Sequence, residues 1–224
     1  MSSELHAALS ARMLGSLAVT LNGTAVDTLS SRRTRQGYLL LHRRAAVPRD
    51  VLMDTFWPSA SPEAARNNLH VALSGVRQAL RVASPVRVLQ RRHDTYRLAA
   101  DVTWVDVDEF ERRCAEGRRA DLAGDSATAV RCYAAADQLH EGDLLADDPY
   151  LGWVLPERET LRLGVLLAQR RLAELYAASG DHAGAILVAR RALGIDPYDE
   201  ALHRQLMLAY RNISMRAWRE RPNK

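Results

Sequence analysis

Residues 61–80 read SPEAARNNLHVALSGVRQAL and predict one long amphipathic helix. The segment Ser61-Pro62-Glu63 is typical of a helix start. Four apolar residues then recur at steps of 4, 3 and 4 positions, which assigns one buried stripe to Leu69, Leu73, Val76 and Leu80. The sequence therefore predicts a helix whose apolar face packs inward and whose other face is open for binding.

The opposite face of this helix is cationic and carries amide groups. It is expected to present Arg66, Asn67, His70, Ser74 and Arg77. An arginine can bond guanine with two hydrogen bonds, and an asparagine adenine, in a major groove wide enough to admit a helix. An ordinary solvated face is the alternative, but residues 66–80 contain no Asp or Glu. We therefore expect a DNA recognition helix.

The residues before this helix predict a hairpin and two shorter helices. Residues 16–29 alternate apolar and polar side chains around Asn22-Gly23, a strong signal for a tight hairpin turn. One helix is expected over residues 33–44. Another follows Val47-Pro48 and stops at Trp57-Pro58. Each helix is too short to be stable alone, so they must pack together.

A second hairpin is predicted after the long helix. Residues 86–90 and 96–98 read as strands, joined by the basic residues 91–95. A hairpin at this position is typical of a wing, whose tip can reach the sugar-phosphate backbone or the minor groove. The candidate wing contacts are Arg91, Arg92, His93 and Thr95. An ordinary exposed turn is the alternative interpretation.

Charge is unevenly divided along the chain. Residues 1–100 carry a net charge of +8 and residues 101–224 a net charge of −4. This division indicates two domains, of which the first faces a polyanion. Three arginines at the start of the first helix, Arg32, Arg33 and Arg35, are expected to contact DNA phosphates.

The composition argues against an enzyme. The sole lysine among 31 basic residues is Lys224, which excludes a Walker A loop, a Schiff-base lysine and a kinase-type lysine. No catalytic motif or metal-ligand spacing occurs, so we expect no catalytic residue, cofactor, metal or small-molecule substrate. Cys114 and Cys132 are interpreted as buried small residues. Without a membrane-spanning segment or signal peptide, the chain is expected in the cytoplasm and away from membranes.

Alanine-rich helical periodicity begins at Asp106. Three residue pairs lie 34 positions apart, the length of a tetratricopeptide repeat: Leu172 and Leu206, Ala173 and Met207, Tyr176 and Tyr210. An earlier, weaker copy contains Gly117, Ala120, Ala129, Tyr133 and Ala136, and an acidic loop at residues 141–149 separates the two. Stacked helix pairs of this kind form a curved surface that normally binds protein.

The last repeat is incomplete in sequence. A third unit begins with Leu202, Leu206 and Tyr210, but residues 213–224 lack the pattern of a second helix. Either the chain is part of a longer regulator or its last helix is irregular. We expect exposed apolar surface near those three residues, available for dimer formation or aggregation.

Three segments resemble the Streptomyces antibiotic regulatory protein family: Phe56-Trp57-Pro58, residues 65–77 and residues 104–110. The resemblance covers about residues 13–212. It implies a mainly α fold with a small β component. An OmpR-type winged helix-turn-helix at 13–104 is followed by a tetratricopeptide-like bacterial transcriptional activator domain at 105–212. Residues 1–12 are then an extension, with the pattern of a short helix at 4–10, and residues 213–224 are an irregular or truncated tail.

The resemblance supports the assignment of residues 66–77 to the recognition helix and of residues 91–95 to the wing. Two positions depart from the family pattern. Gly75 stands where arginine is common, and glycine within a helix costs about 1 kcal/mol relative to alanine. Pro48 stands where a capping serine is usual, so the first amides of that helix lack a side-chain partner.

The leading hypothesis is a sequence-specific transcriptional activator that binds double-stranded promoter DNA. The resemblance further implies direct-repeat sites, control of a secondary-metabolite gene cluster, recruitment of RNA polymerase holoenzyme, and a homodimer formed through the helical repeats. The alternative is a protein-interaction adaptor that uses the repeats, with a winged domain that does not read DNA. The adaptor predicts little salt-sensitive binding to DNA.

Overall fold

The structure is a computed structural model that describes residues 9–26, 30–83, 88–98 and 103–219. Its residue contacts divide the chain into two units. The first unit comprises Met1–Asp108 together with Leu144–Val154, and the second comprises Glu109–Asp143 together with Leu155–Lys224. The fold is mainly helical with a small strand component, as the sequence predicts. None of the described helices is both long enough and apolar enough to cross a membrane.

A four-stranded sheet opens the first unit. It contains β1 (Leu9–Arg12), β2 (Ala18–Leu21), β3 (Thr24–Ala25) and β7 (Thr103–Val105), in the order β3-β2-β1-β7. The predicted hairpin is confirmed between β2 and β3. Its turn residues Asn22 and Gly23 have φ values of 52° and 79°, the left-handed region that this dipeptide tolerates.

The strand β1 corrects the prediction of a helix over residues 4–10. Residues 4–8 lie outside the described residues, but Leu9 and Ser10 belong to β1. Leu9 and Ala11 are buried while Ser10 and Arg12 are less so, which is the two-residue period of a strand. β1 also pairs in parallel with β7, so residues 9–12 are part of the first unit and not an extension.

The three predicted helices of the first unit are confirmed. They are α1 (Ser30–Leu41), α2 (Arg49–Phe56) and α3 (Pro62–Ala83). Pro48 caps α2 without a side-chain hydrogen bond, as expected. The stripe Leu69, Leu73, Val76 and Leu80 is buried in the core. A three-stranded sheet in the order β4-β6-β5 completes the winged helix, with β4 (Val47–Pro48), β5 (Leu89–Arg92) and β6 (Thr95–Leu98).

Residues 144–154, here called the strap, correct the prediction that the acidic stretch is only a loop between repeats. The strap belongs to the first unit. The Leu145 amide donates to the carbonyl oxygen of Met13 at 2.9 Å. At the other end, the Trp153 ring lies edge-on to the Tyr38 ring, with centroids 4.9 Å apart. A segment from the second half of the sequence therefore contributes to the core of the winged helix.

In the part of the chain that the structure describes, five α-helices follow β7: α4 (Asp106–Leu122), α5 (Ser126–Leu139), α6 (Leu155–Ala178), α7 (His182–Ile195) and α8 (Glu200–Arg219). Gly117 of α4 lets the Tyr133 ring of α5 approach, since a Cβ at Gly117 would lie 3.0 Å from that ring. The first repeat, though weak in sequence, is therefore a packed helix pair. Cys114 and Cys132 are buried, as predicted.

Helix α8 corrects two predictions about the end of the chain. It is continuous to Arg219, so residues 213–219 are helical and not an irregular tail; residues 220–224 lie outside the described residues. Leu202 is fully buried, whereas Met207 and Tyr210 are 66% and 47% exposed. The expected apolar surface therefore exists on α8, but Leu202 does not belong to it.

Candidate nucleic-acid interface

Helix α3 presents the polar face that its periodicity predicts. Arg66, Asn67, His70 and Ser74 are exposed, and Arg77 is half-buried. Apart from the neighbours Arg66 and Asn67, these residues follow one another at intervals of three or four positions, so they share one face of the helix, whereas the leucine and valine stripe is buried. The structure thus brings all five predicted recognition residues to one surface.

A cleft of about 240 Å³, here called the wing cleft, separates the exposed face of α3 from the wing. Its lining contains three guanidinium groups, an amide and an imidazole. The residues are Arg49, Arg66, Asn67, Leu69, His70, Arg91 and Tyr96. Guanidinium and amide groups donate hydrogen bonds and attract negative charge, so this lining suits a phosphate or another anion.

Tyr96 supports two of the cations beside the cleft. The Cζ atoms of Arg77 and Arg91 each lie 6.0 Å from the centroid of its ring. The ring is itself buried within the unit, so its position is well determined by packing. One aromatic side chain therefore orients an arginine of the recognition helix and an arginine of the wing by cation–π attraction.

The wing turn corrects the prediction of a basic tip. Arg92 pairs with Thr95, so the turn itself consists of His93 and Asp94, with His93 at φ 52°. Arg91 and Arg92 lie in strand β5 and not in the turn. The Thr95 hydroxyl donates to the Arg92 carbonyl oxygen at 2.9 Å, which engages it in the turn. The tip therefore carries one carboxylate, with the arginines set back along the strand.

A larger cleft of about 570 Å³ lies between the end of α3 and strand β5. Its lining includes four arginines, two from the helix and two from the strand: Arg77, Arg81, Arg91 and Arg92. Residues 86–87, predicted as the start of the wing strand, lie outside the described residues. The positively charged surface beside α3 therefore continues along strand β5.

Arg35, a predicted phosphate contact, lies against an aromatic ring. Its guanidinium lies 5.1 Å from the centroid of the Trp57 ring, and burial lowers the pKa of Arg35. It also borders a cleft lined by His70 and Ser74 of α3. The side chains of Arg32 and Arg33 lie outside the described residues, although both belong to α1.

Three residues of this surface escaped the sequence analysis. Arg49 and Arg81 line the clefts, and Tyr96 supports the arginines between them. Arg49 follows Pro48 directly, so its place in the first turn of α2 within the basic half was a usable signal. Tyr96 alternates with other strand residues as any core aromatic does, and its role depends on the packing of β6 beneath α3.

The described residues contain no group of three or more His, Cys, Asp or Glu side chains placed to hold a metal ion. The surface around α3 is rich in cations, amides and hydroxyls, with the Asp94 carboxylate beside it. Its chemistry is therefore that of binding to an anion through hydrogen bonds and charge.

Comparison with known proteins connects this architecture to gene regulators. Residues 105–217 match the family described as bacterial transcriptional activator domain. The regulatory protein DnrI of Streptomyces peucetius is 34% identical over 209 residues, which cover 88% of this chain and 75% of that protein. The transcriptional regulatory protein MoaR1 of Mycobacterium tuberculosis is 30% identical, with coverage of 88% of this chain and 65% of that protein.

The fold is also similar to a solved structure. Mycobacterium tuberculosis EmbR, determined in complex with a low affinity phosphopeptide, matches with a TM-score of 0.79 and 28% identity. The match covers 93% of this chain and 56% of that chain. The chain thus spans between about half and three quarters of the length of these relatives.

Proposed function

This chain belongs to the Streptomyces antibiotic regulatory protein family, whose members carry a bacterial transcriptional activator domain, and on that premise we propose that it is a sequence-specific activator of transcription that binds promoter DNA. One observation carries the proposal. The exposed face of α3 holds Arg66, Asn67 and His70, and arginine-lined clefts border it along the wing.

In this proposal α3 enters the major groove. Arg66 bonds the N7 and O6 atoms of a guanine and Asn67 the N6 and N7 atoms of an adenine, while His70, Ser74 and Arg77 contact neighbouring base edges. These contacts select sequence. The helix length supports this arrangement, because α3 extends through 22 residues.

The arginines around α3 supply most of the affinity. Arg49, Arg81, Arg91 and Arg92 contact backbone phosphates, with Arg32, Arg33 and Arg35 on the side of α1. Phosphate contacts carry no sequence information, but they set the register of the protein on the duplex. They also release counterions, so affinity falls steeply as salt rises.

The second unit is proposed to contact protein. The exposed apolar residues Met207, Tyr210 and Trp218 on α8 support a homodimer formed through the helical repeats. A dimer would place two copies of α3 on direct repeats in a promoter, with RNA polymerase holoenzyme as the further partner. By family resemblance, the regulated genes belong to a secondary-metabolite cluster.

A protein-interaction adaptor is the second candidate, and the same exposed face of α8 favours it. Anisotropy of a labelled duplex of about 30 base pairs, titrated with the full chain over a salt series, separates the two. The activator binds the duplex, and the logarithm of its association constant falls with the logarithm of salt. An adaptor shows little salt-sensitive binding to the duplex, and that result would overturn the proposed function.

A further inference from the structure

The carboxylate of Asp94 in the wing turn is held by arginines that line the wing cleft. Its Oδ1 atom lies 3.0 Å from Nη1 of Arg49 and 3.9 Å from Nη2 of Arg91. Both arginines belong to the lining that also contains Arg66. The Asp94 carboxylate thus pairs with the same guanidinium groups, those of Arg49 and Arg91, that the proposed function assigns to contacts with DNA phosphates.

Carboxylate and phosphate are alternative partners for a guanidinium group. Both present a pair of negatively charged oxygens that accept the paired hydrogen bonds of arginine. A carboxylate 3.0 Å from Arg49 occupies hydrogen-bonding capacity that a phosphate would use, and its negative charge repels an incoming phosphate.

The ion pair is not required to attach the wing. The Arg49 amide donates to the Asp94 carbonyl oxygen at 2.7 Å, and Val47 pairs with Tyr96 in the sheet. These main-chain bonds already fix the turn against the start of α2. The side-chain pair is therefore free to serve another purpose.

The pair is also readily exchanged. The Asp94 side chain is 64% exposed, and ion pairs at such sites contribute little stability because water screens and solvates both charges. The Arg49 side chain is only 24% exposed, so it stays beside the cleft when the carboxylate leaves. A phosphate that also contacts Arg66 and Arg91 replaces the carboxylate at little cost.

We propose that Asp94 is an intramolecular competitor of a DNA phosphate: its carboxylate holds Arg49 and Arg91 in the free protein and gives them up when a phosphate enters the wing cleft. The inference rests on the proposed function. Because the competition involves phosphate and no base, it lowers the affinity for every duplex by the same factor and keeps binding to unselected DNA weak.

The test replaces Asp94 by asparagine in the full chain. Asparagine retains the main-chain bond to Arg49 and the size of the side chain but removes the negative charge. We expect the Asp94→Asn variant to bind a mixed-sequence duplex about two- to fivefold more tightly, the factor that corresponds to an exposed ion pair. The salt slope should stay nearly the same, because the parent and the variant contact the same phosphates once DNA is bound.

Two controls isolate the cause. Asp54→Asn makes the same change in net charge on the exposed side of α2, away from the ion pair, and should change affinity less. Arg49→Gln combined with Asp94→Asn should lose the gain, because the released guanidinium is absent. Asp94→Gly also removes the carboxylate and should reproduce the gain, which covers the case in which the asparagine variant folds poorly.

The outcomes are distinguishable. The inference is overturned if both Asp94 variants bind DNA no more tightly than the parent, or if their gain is no larger than that of Asp54→Asn. In either case, binding of DNA by the parent protein still upholds the proposed function. A gain restricted to one sequence also overturns it, since competition for phosphate is independent of sequence. Failure of the parent and all variants to bind any duplex overturns the proposed function and the inference together.

Discussion

Leu145 of the strap fills the space directly beside Gly37 of α1. A Cβ atom built on Gly37 would lie 2.9 Å from the Leu145 Cδ1 atom, closer than carbon atoms pack. Leu145 is buried, and its own backbone is in the left-handed region at φ 53°. Gly37 therefore leaves room for the side chain of Leu145, which lies 108 positions later in the sequence.

Gly37→Ala should destabilise the first unit by about 1 kcal/mol. Overpacking costs about 1–3 kcal/mol, which exceeds the gain of about 1 kcal/mol from alanine in a helix. Leu145→Ala alone should cost about 2–5 kcal/mol by leaving a cavity. The double variant should lose less free energy of unfolding than the sum of the losses of the two single variants, as measured by urea unfolding. Additive effects would show that the two residues do not meet.

Trp153→Ala should destabilise the first unit by about 3 kcal/mol, the lower end of the cost for a core aromatic, because it removes a large ring that is only partly buried. The ring contacts those of Tyr38 and Phe56, with centroids 4.9 and 6.4 Å away. Trp218→Ala is the matched control, since Trp218 is 69% exposed on α8 and its loss should leave thermal unfolding nearly unchanged. Equal effects of the two substitutions would contradict the position of the strap.

Asp108→Asn should reduce stability at neutral pH but not in acid. Burial alone would raise the pKa of Asp108, but hydrogen bonds from Arg43 and Arg44 lower it below the usual aspartate range. A lowered pKa stabilises the folded state above the unfolded value, and this contribution disappears as the pH falls through the folded value.

The loss should be about 1–2 kcal/mol near neutral pH, which is the value of a charge-assisted hydrogen bond reduced for the partial exposure of Asp108. Arg43 is nearly buried, and its Nε atom donates to Asp108 at 2.5 Å. Unfolding by urea at a series of pH values measures the difference between parent and variant. A difference that persists unchanged into strong acid would show that packing, and not charge, is lost.

Self-association should depend on the exposed side chains of α8. Replacing Met207 and Tyr210 by serine removes apolar surface that is 66% and 47% exposed and should weaken a dimer without loss of helical content. Sedimentation equilibrium reports the association constant. Leu163→Ser together with Leu167→Ser, two residues each 60% exposed on α6, is the control. If the control pair abolishes the dimer instead, the interface lies on α6.

Local periodicity was enough to predict the helices and the first hairpin. Leu69, Leu73 and Val76 recur at helical spacing, and the turn at Asn22-Gly23 needs a left-handed backbone that few residues other than glycine and asparagine adopt. The same signals placed Arg66, Asn67 and His70 on one exposed face. These features depend on residues close in sequence.

Features that depend on distant residues were missed. β1 pairs with β7 across more than 90 positions, and the short strands carry too few residues to show a period. The Leu145 contact with Gly37 and the Arg49 contact with Asp94 join separate segments. The wing turn was predicted as basic because Arg91 and Arg92 were included in it. The pairing of Arg92 with Thr95 places both arginines in the strand and leaves His93 and Asp94 in the turn.

The central claim is that the exposed face of α3 reads base sequence, and selection of bound duplexes from a random DNA pool tests it most directly. The parent protein should enrich one motif. Arg66→Ala should bind that motif about 1–3 kcal/mol more weakly and lose preference at one base pair. Arg190→Ala, which removes an exposed arginine of the second unit, should enrich the parent's motif unchanged. Enrichment of the same motif by Arg66→Ala, or of none by the parent, would contradict the account.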